Sequence, residues 1–154
     1  MIRASKISDI EFILPLWSEL DKYVANITKN EVLNSRVKEY DEVVSKTIRE
    51  FSNSQNQKLF VAEENSNLIG FSTAYIESLP WFSPVTGLIG SCWVNEDYRN
   101  KGIGRELVIN AENWLNSKNV SNIQVCWDKE NPLANSFWRK NGYIESQIRA
   151  TKQL

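Results

Sequence analysis

About two-thirds of the way along, the chain reads Trp93-Val94-Asn95-Glu96-Asp97-Tyr98-Arg99-Asn100-Lys101-Gly102-Ile103-Gly104-Arg105. Its apolar start predicts the end of a strand, its polar middle a turn, and its two glycines the start of a helix. A helix that starts in this way offers unpaired N–H groups and the positive end of its dipole to an anion, usually a phosphate. Gly102 and Gly104 have no side chains, so a ligand can approach the backbone closely. The stretch therefore predicts a phosphate site between a strand and a helix.

Three kinds of phosphate-binding loop begin a helix like this. A P-loop ends in glycine-lysine-serine or glycine-lysine-threonine, whereas Gly104 is followed by Arg105. A dinucleotide-binding loop needs a third glycine where Leu107 stands, and it needs more chain than remains. The third kind fits, because Arg99-x-x-Gly102-x-Gly104 resembles the pyrophosphate loop of the GNAT superfamily of acyl-CoA-dependent N-acetyltransferases.

A second motif, Asn131-Pro132-Leu133-Ala134-Asn135-Ser136-Phe137-Trp138-Arg139-Lys140-Asn141-Gly142-Tyr143, is similar to the other signature of that superfamily. There an asparagine caps a helix that carries an alanine and two aromatic residues, and a glycine-aromatic pair leads into the final strand. Asn131 is a good N-cap, Pro132 suits the first helical position, and Gly142 ends the helix. The resemblance covers about residues 59 to 148, with the two motifs in the family's order.

Composition restricts the class of protein. A chain of 154 residues with 42% hydrophobic and 24% charged residues suits one soluble domain, residues 1–154. A formal net charge of −1 argues against nucleic-acid binding driven by bulk charge. No apolar run is long enough to span a membrane, and no apolar segment follows the first residues as in a secretion signal. We therefore expect a cytoplasmic protein with neither nucleic acid nor membrane as partner.

Histidine and cysteine counts restrict the chemistry further. Two cysteines give no disulfide framework, which favours a reducing compartment. The absence of histidine excludes serine-histidine and cysteine-histidine catalysis, and it leaves only carboxylates and two thiols for a zinc site. No metal is expected.

Hydrophobic periodicity predicts the order strand, two helices, three strands, helix, strand, helix, strand. The predicted strands are 2–4, 59–63, 68–76, 88–94, 123–127 and 143–149. The predicted helices start at Ser8, cover 37–51 and 102–117, and end with 132–140. This order indicates an α/β fold with a mixed central sheet and helices on both faces. The GNAT resemblance adds the expectation that two central strands splay apart.

The resemblance implies that acetyl-CoA, as co-substrate, lies between the strand ending at Val94 and the strand ending near Trp127. The backbone around Trp93 and Val94 would bind the pantetheine arm and the acetyl carbonyl, and so stabilise the negative charge that develops there. The N–H groups from Lys101 to Arg105 would hold the pyrophosphate. The cofactor-binding residues implied are Trp93, Val94, Arg99, Lys101, Gly102, Ile103, Gly104, Arg105, Asn131, Ala134 and Trp138.

Catalytic groups are less clearly marked. An amine with a pKa of about 10 must lose a proton before it attacks, and the departing thiolate must gain one. Many relatives place a tyrosine where this chain has Trp138, and some place a glutamate where it has Leu88. Asp128 and Glu77 are the candidate bases, although each could be an ordinary solvated loop acid. Both cysteines are interpreted as small packed thiols.

The acceptor site is expected between the first two helices and the loop that follows the third strand. Trp17, Trp81 and Phe82 are the candidate substrate-binding residues, as an aromatic wall. Five acids on those helices could attract a cationic amine, although a solvated helix face is the commoner explanation. They are Glu19, Asp21, Glu39, Asp41 and Glu42.

Together these features predict an acetyl-CoA-dependent N-acetyltransferase that acts on a primary amine of a small molecule or peptide, by direct attack in a ternary complex. One alternative is an acyl-CoA-binding sensor or regulatory module without turnover, which the residues at 88 and 138 mildly favour. Another is a protein acetyltransferase for lysines or N-termini, which would need an open acidic groove. A homodimer is compatible with the resemblance, since dimers are common among similar proteins.

Overall fold

The computed structural model describes residues 1–28, 35–78 and 85–147. In this part of the chain the strands are β1 (Ile2–Ala4), β2 (Gln57–Glu64), β3 (Asn67–Glu77), β4 (Thr86–Val94) and β5 (Asn122–Val125). The α-helices are α1 (Ile10–Thr28), α2 (Tyr40–Asn53), α3 (Ile103–Asn116) and α4 (Pro132–Lys140). Short 3₁₀ turns cover Ile7–Asp9 and Glu96–Tyr98. None of these helices combines the length and the apolar character needed to cross a membrane.

The strands form one sheet in the order β1-β2-β3-β4-β5. The first four run antiparallel to their neighbours, and β5 runs parallel to β4 after the crossover through α3. The mixed sheet predicted from the element order is therefore confirmed. The hairpin predicted at residues 64–67 is also confirmed, with Asn65 and Ser66 at positive φ in the two-residue turn.

Helices cover both faces of the sheet, as alternation along β2 shows. Leu59 and Val61 face a core built with α1 and α2, whereas Phe60 and Ala62 face a core built with α3 and α4. Trp138 of α4 belongs to the second core and is 6% exposed. The prediction of helices on both faces is confirmed.

Strands β4 and β5 separate part of the way along. Their pairing runs from Thr86 opposite Asn122 to Ile89 opposite Val125, and β4 then continues without β5 to Val94. At the point of separation the register between β3 and β4 shifts, which leaves Gly90 as an extra residue in β4. Such a bulge bends its strand. The predicted splay of two central strands is thereby confirmed.

Glycine is favoured at this bulge for steric reasons. A Cβ at Gly90 would lie 2.8 Å from Tyr75 Cε1 and 3.1 Å from Thr73 Oγ1. Because real Cβ atoms essentially never approach another atom within 3.0 Å, a larger residue at 90 would displace the Tyr75 side chain.

The last predicted strand, 143–149, is wrong over the residues that can be assessed. Residues 143–147 form no strand, and 148 and 149 lie outside the described residues. Gly142, at φ +89°, turns the chain so that Tyr143 N–H donates to Trp138 O at 3.1 Å. Tyr143 Oη then donates to Glu112 Oε1 of α3 at 2.8 Å. An apolar alternation indicates an extended segment, but it does not supply the neighbouring strand.

An ion-pair cluster fixes the start of the chain against β2. Arg3 donates from Nη1 and Nη2 to the two oxygens of Asp9 at 2.6 and 3.0 Å, and from Nε to Glu63 Oε2 at 2.8 Å. The turn that precedes α1 has Lys6 as its N-cap residue, and Asp9 in the third position accepts from Lys6 N–H at 2.8 Å, so the helical segment begins at Ile7, one residue before the predicted Ser8. Asp9 is 7% exposed. The hydrogen bonds from Arg3 outweigh desolvation and lower the pKa of Asp9 below its ordinary value of 3.8.

Asp9→Asn is expected to lower the free energy of unfolding at pH 7 by about 1–3 kcal/mol, since it removes a partly buried, charge-assisted pair. Because the folded pKa is lowered, this stabilisation is complete above pH 3.8 and is lost as the pH falls through the folded value. Urea unfolding at pH 7 and pH 3 measures both effects, with the exposed Glu64→Gln as control. An equal loss at both pH values would attribute the effect to packing instead.

Candidate active site

A cleft of about 470 Å³ opens where β4 leaves β5. Gly90, Ser91 and Cys92 of β4 form one side, together with the residues that follow β5, from Cys126 to Asp128. The opposite side consists of α1 and the segment that leads into α2. The start of α4 closes one end with Asn131, Ala134 and Trp138. The volume is that of a typical small-molecule site.

The edge of β4 that faces the cleft carries main-chain hydrogen-bonding groups. Asn95 N–H donates to Ile69 O of β3 at 2.8 Å, and Ser91 N–H donates to Thr73 Oγ1 of β3 at 2.9 Å. Peptide groups alternate between the two edges of a strand. Trp93 therefore also directs its N–H and C=O to β3, where it lies opposite Phe71.

By the same alternation, Cys92 and Val94 direct their peptide groups away from β3, toward the gap left by β5. Val94 O is occupied, since it accepts from Arg99 Nε at 2.9 Å. The N–H and C=O of Cys92 and the N–H of Val94 are thus the main-chain groups of β4 that a ligand in the gap would meet. In the structure the peptide groups of Cys92 and Val94 are directed toward the gap, whereas those of Trp93 are directed to β3.

Arg99 is held against the end of β4. Its guanidinium carbon lies 4.5 Å from the Trp93 ring centroid and 5.9 Å from that of Tyr23. Trp93 is itself fixed by the bond from its Nε1 to Glu19 Oε2, at 3.1 Å. Through these contacts Arg99 supports the turn between β4 and α3. Its side chain thereby stabilises the position of residues 101–105, which we call the glycine loop.

The glycine loop caps α3 as the sequence predicts. Gly102 is the N-cap residue at φ +84°, and the first helical bond runs from Glu106 N–H to Gly102 O at 3.1 Å. The N–H groups of Ile103, Gly104 and Arg105 therefore precede the helical ladder and lie at the positive end of the helix. Lys101 lies beside them with its Nζ 4.9 Å from the Tyr98 ring centroid.

The two glycines of the loop serve different purposes. A Cβ at Gly102 would meet no described atom within 4 Å, so glycine is favoured there by the left-handed φ. A Cβ at Gly104 would lie 3.1 Å from Phe137 Cε2 of α4, so glycine there lets the two helices approach. Gly104 thus links the loop to the packing of α4.

Helix α4 starts at the predicted cap. Asn131 is 9% exposed, and its Oδ1 accepts from Ala134 N–H at 3.0 Å and from Tyr23 Oη at 3.4 Å. Tyr23, whose pKa is raised by burial and partly lowered again by Arg99, thereby connects α1 to the cleft. Trp138, about two turns beyond Asn131, packs edge-on against Tyr143 with ring centroids 5.3 Å apart.

The two candidate bases occupy different places. Asp128 lies in the cleft lining, exposed, and its Oδ1 accepts from Glu130 N–H at 2.8 Å. Glu77 lies opposite Thr86 at the far end of β4, exposed and outside the cleft lining. Cys92 lies six positions along β4 from Thr86, which corresponds to about 20 Å at the rise of a strand. The structure does not bring Glu77 to the cleft.

The predicted aromatic wall is not assembled from the described residues. Trp17 stacks on Phe71 with ring centroids 5.2 Å apart and belongs to the core beneath α1. It does not line the cleft. Trp81 and Phe82 lie outside the described residues.

The residues that form the helical wall of the cleft are not among the predicted substrate-binding residues. Leu20, Asp21 and Val24 face it from α1, and Arg36 and Tyr40 face it from the approach to α2. Asp21 is one of the five acids named above as able to attract an amine, although a solvated helix face is the commoner explanation, and the sequence gives no reason to prefer it. Leu20 and Val24 lie one helical turn apart. This apolar spacing is the one feature of the sequence that indicates that their face of the helix is turned away from solvent.

The two thiols differ in reactivity. Burial raises the pKa of the Cys92 thiol to about 12, and its Sγ lies 3.9 Å from Gly104 O. Cys126 is exposed at the cleft. Since the thiolate is the reactive form, Cys92 is inert near neutral pH.

Comparison with known proteins agrees with this geometry. A model of the acetyltransferase (GNAT) family matches residues 26–143. Among solved structures, a mutant BH1408 protein from Bacillus halodurans superposes with a TM-score of 0.84 at 17% identity, covering 100% of this chain and 99% of its own.

Two further solved structures are aminoglycoside acetyltransferases. One is the aminoglycoside N-acetyltransferase AAC(6')-Iy in complex with CoA, with a TM-score of 0.78, 15% identity and 100% and 93% coverage of the two chains. The other is meta-AAC0020, from an uncultured soil metagenomic sample, in complex with sisomicin, with a TM-score of 0.74, 19% identity and 100% and 95% coverage. A search of curated proteins gave no match.

Proposed function

Because the chain belongs to the acetyltransferase (GNAT) family, we propose that it transfers the acetyl group of acetyl-CoA to a primary amine of a small molecule or peptide. The transfer proceeds by direct attack in a ternary complex. Two observations carry this proposal: the cleft that opens where β4 leaves β5, and the N–H groups that precede the hydrogen-bond ladder of α3, the helix that follows β4.

The start of α3 and the edge of β4 each suit one part of acetyl-CoA. The N–H groups of Ile103, Gly104 and Arg105 would bind the pyrophosphate, as at other helix starts that hold phosphates. The peptide groups of Cys92 and Val94 would bind the pantetheine amides and the thioester carbonyl in the manner of an added strand. Ala134 and Trp138 would pack against the arm from α4.

Attack by the amine nitrogen forms a C–N bond and moves negative charge onto the carbonyl oxygen, which a β4 N–H stabilises. The C–S bond then breaks and releases CoA as a thiolate. A thiol with an ordinary pKa of about 8.5 is a good leaving group near neutral pH, so solvent can supply its proton where Trp138 cannot. Asp128 is the carboxylate we assign to removing the proton from the amine, directly or through water.

A thermal-shift titration with acetyl-CoA and with free CoA tests cofactor binding. At a hundred times the dissociation constant either ligand should stabilise the fold by about 2.7 kcal/mol, which raises the melting temperature by about 5–10 °C in a domain of this size. No shift with either ligand would overturn the proposal.

One observation favours a second function, that of an acyl-CoA-binding module without turnover. Trp138 stands where many relatives carry a tyrosine, and its indole cannot act as an acid. Incubation with acetyl-CoA and a panel of amines, followed by mass spectrometry, separates the two functions. An acetylated amine establishes turnover, whereas tight binding without any acetylated product supports the sensor.

The cysteines provide an independent test of where the ligand binds. Iodoacetamide at pH 8 is expected to alkylate Cys126, which is exposed, and to spare Cys92, because burial raises the pKa of the Cys92 thiol to about 12. Saturating acetyl-CoA, which has no free thiol to consume the reagent, should slow alkylation of Cys126 about tenfold or more, since Cys126 lines the cleft. Peptide mapping by mass spectrometry measures both rates, and an unprotected Cys126 would place the ligand elsewhere.

A further inference from the structure

A carboxylate stands on the helical wall of the cleft, across from β4. Asp21 of α1 lines the cleft between Leu20 and Val24. Tyr40 of α2 donates its Oη–H to Asp21 Oδ2 at 2.5 Å. The bond fixes the carboxylate between two helices, and burial together with Asp21 raises the pKa of Tyr40, which keeps the phenol protonated as a donor.

The carboxylate retains capacity for a ligand. Two carboxylate oxygens together accept about four hydrogen bonds, and Tyr40 uses one. The neighbouring cation, Arg36, directs Nη1 to Ser18 Oγ at 3.0 Å and Nη2 to Ser18 O at 3.1 Å. Its guanidinium carbon lies over the Tyr40 ring, 4.3 Å from the centroid, so the contacts that hold Arg36 are with Ser18 and Tyr40.

The charges around the cleft limit what it can accept. The described lining has two carboxylates, Asp21 and Asp128, and one guanidinium, Arg36. A net charge of −1 suits one ammonium group. Leu20, Val24 and Val37 offer apolar surface beside it.

We propose that Asp21 binds the ammonium group of the acceptor, and that the acceptor is a primary amine with one positive charge and an apolar body. This inference rests on the proposed acetyl transfer, because only that reaction makes the bound amine an acceptor. The binding of the amine can nevertheless be measured without acetyl-CoA. The inference predicts that the cleft does not prefer a polycation, since a site for a polycation would need more than two carboxylates.

Amide chemical shifts of ¹⁵N-labelled protein, titrated with n-pentylamine and with the uncharged 1-pentanol, test the proposal. The wild type should bind n-pentylamine about tenfold or more tightly than 1-pentanol, with shifts at residues 20–24. Asp21→Asn keeps the shape of the side chain and should remove this preference. Glu11→Gln, an exposed change on the same helix, should retain it, and Tyr40→Phe should reduce it by a smaller factor.

Three results would overturn the inference. They are an unchanged preference in Asp21→Asn, no binding of n-pentylamine to the wild type, and tighter binding of spermidine than of n-pentylamine. Parallel titrations with free CoA keep the two proposals distinct. Lost CoA binding in the wild type would remove the proposed function, while an Asp21-dependent preference for n-pentylamine would still stand.

Discussion

Gly102→Trp is expected to abolish measurable acetyl-CoA binding in a protein that still folds. The side chain would start at the N-terminal end of α3, where a Cβ meets no described atom within 4 Å and therefore does not disturb packing. It would occupy the space in front of the N–H groups of Ile103 and Gly104. Losing two charge-assisted hydrogen bonds to the pyrophosphate costs about 3 kcal/mol or more, which is about a hundredfold or more in affinity.

Gly142 provides a matched control for this variant. It also has a left-handed φ, +89° against +84°, and a Cβ there also meets nothing within 4 Å. Gly142→Trp therefore carries the same backbone strain, about 1–2 kcal/mol, at a site after α4 that does not line the cleft. Isothermal titration calorimetry should find acetyl-CoA binding in Gly142→Trp and none in Gly102→Trp. Equal affinities would refute the loop as the phosphate site.

Gly104 is a poorer position for the same experiment. A tryptophan there would have to displace Phe137, which lies 3.1 Å from the Cβ position. Lost binding in Gly104→Trp could then arise from a displaced α4, so only Gly102 separates ligand contact from packing.

Trp138→Ala is expected to be the most destabilising single change in α4. The indole is 6% exposed and packs against both Phe137 and Tyr143. Truncation of a buried tryptophan costs about 3–5 kcal/mol, which lowers the melting temperature by about 10 °C in a chain of this size. Calorimetry measures this directly.

Leu133→Ala is the control on the same helix. Leu133 is 51% exposed, so its loss should cost well under 1 kcal/mol beyond helix propensity. A cost for Trp138→Ala no larger than that of Leu133→Ala would mean that the indole contributes to the cleft surface and little to the core.

Local signals predicted much of the fold. The Gly102 cap, the Asn131 cap and the hairpin turn at Asn65 and Ser66 depend on residues within a few positions of one another, and all three occur as expected. Helical periodicity likewise located α4 at 132–140. Whether residues 143–147 form a strand depends on a neighbouring strand from another part of the chain, and no local sequence pattern encodes such a partner.

The site was harder to predict than the fold for the same reason. The spacing of glycines marks the phosphate loop directly, but the acceptor wall combines Asp21 and Tyr40, which are nineteen positions apart on different helices. Glu77 was a reasonable candidate from its place near an aromatic loop, and the antiparallel register then put it at the opposite end of β4. The bulge at Gly90, which opens the cleft, left no readable sign beyond a glycine within a strand.

The separation of β4 from β5 bears on how such a chain can change over time. Peptide groups are the same at nearly every position. A recognition surface made of the main chain at 92 and 94 therefore tolerates many side chains there, provided that the path of β4 away from β5 is unchanged. Selection would then act on the few positions that set this path, such as Gly90, and on the empty space at Gly102. The acceptor wall, made of side chains on α1 and α2, can vary independently, so that a new substrate preference can arise there while the donor site is preserved.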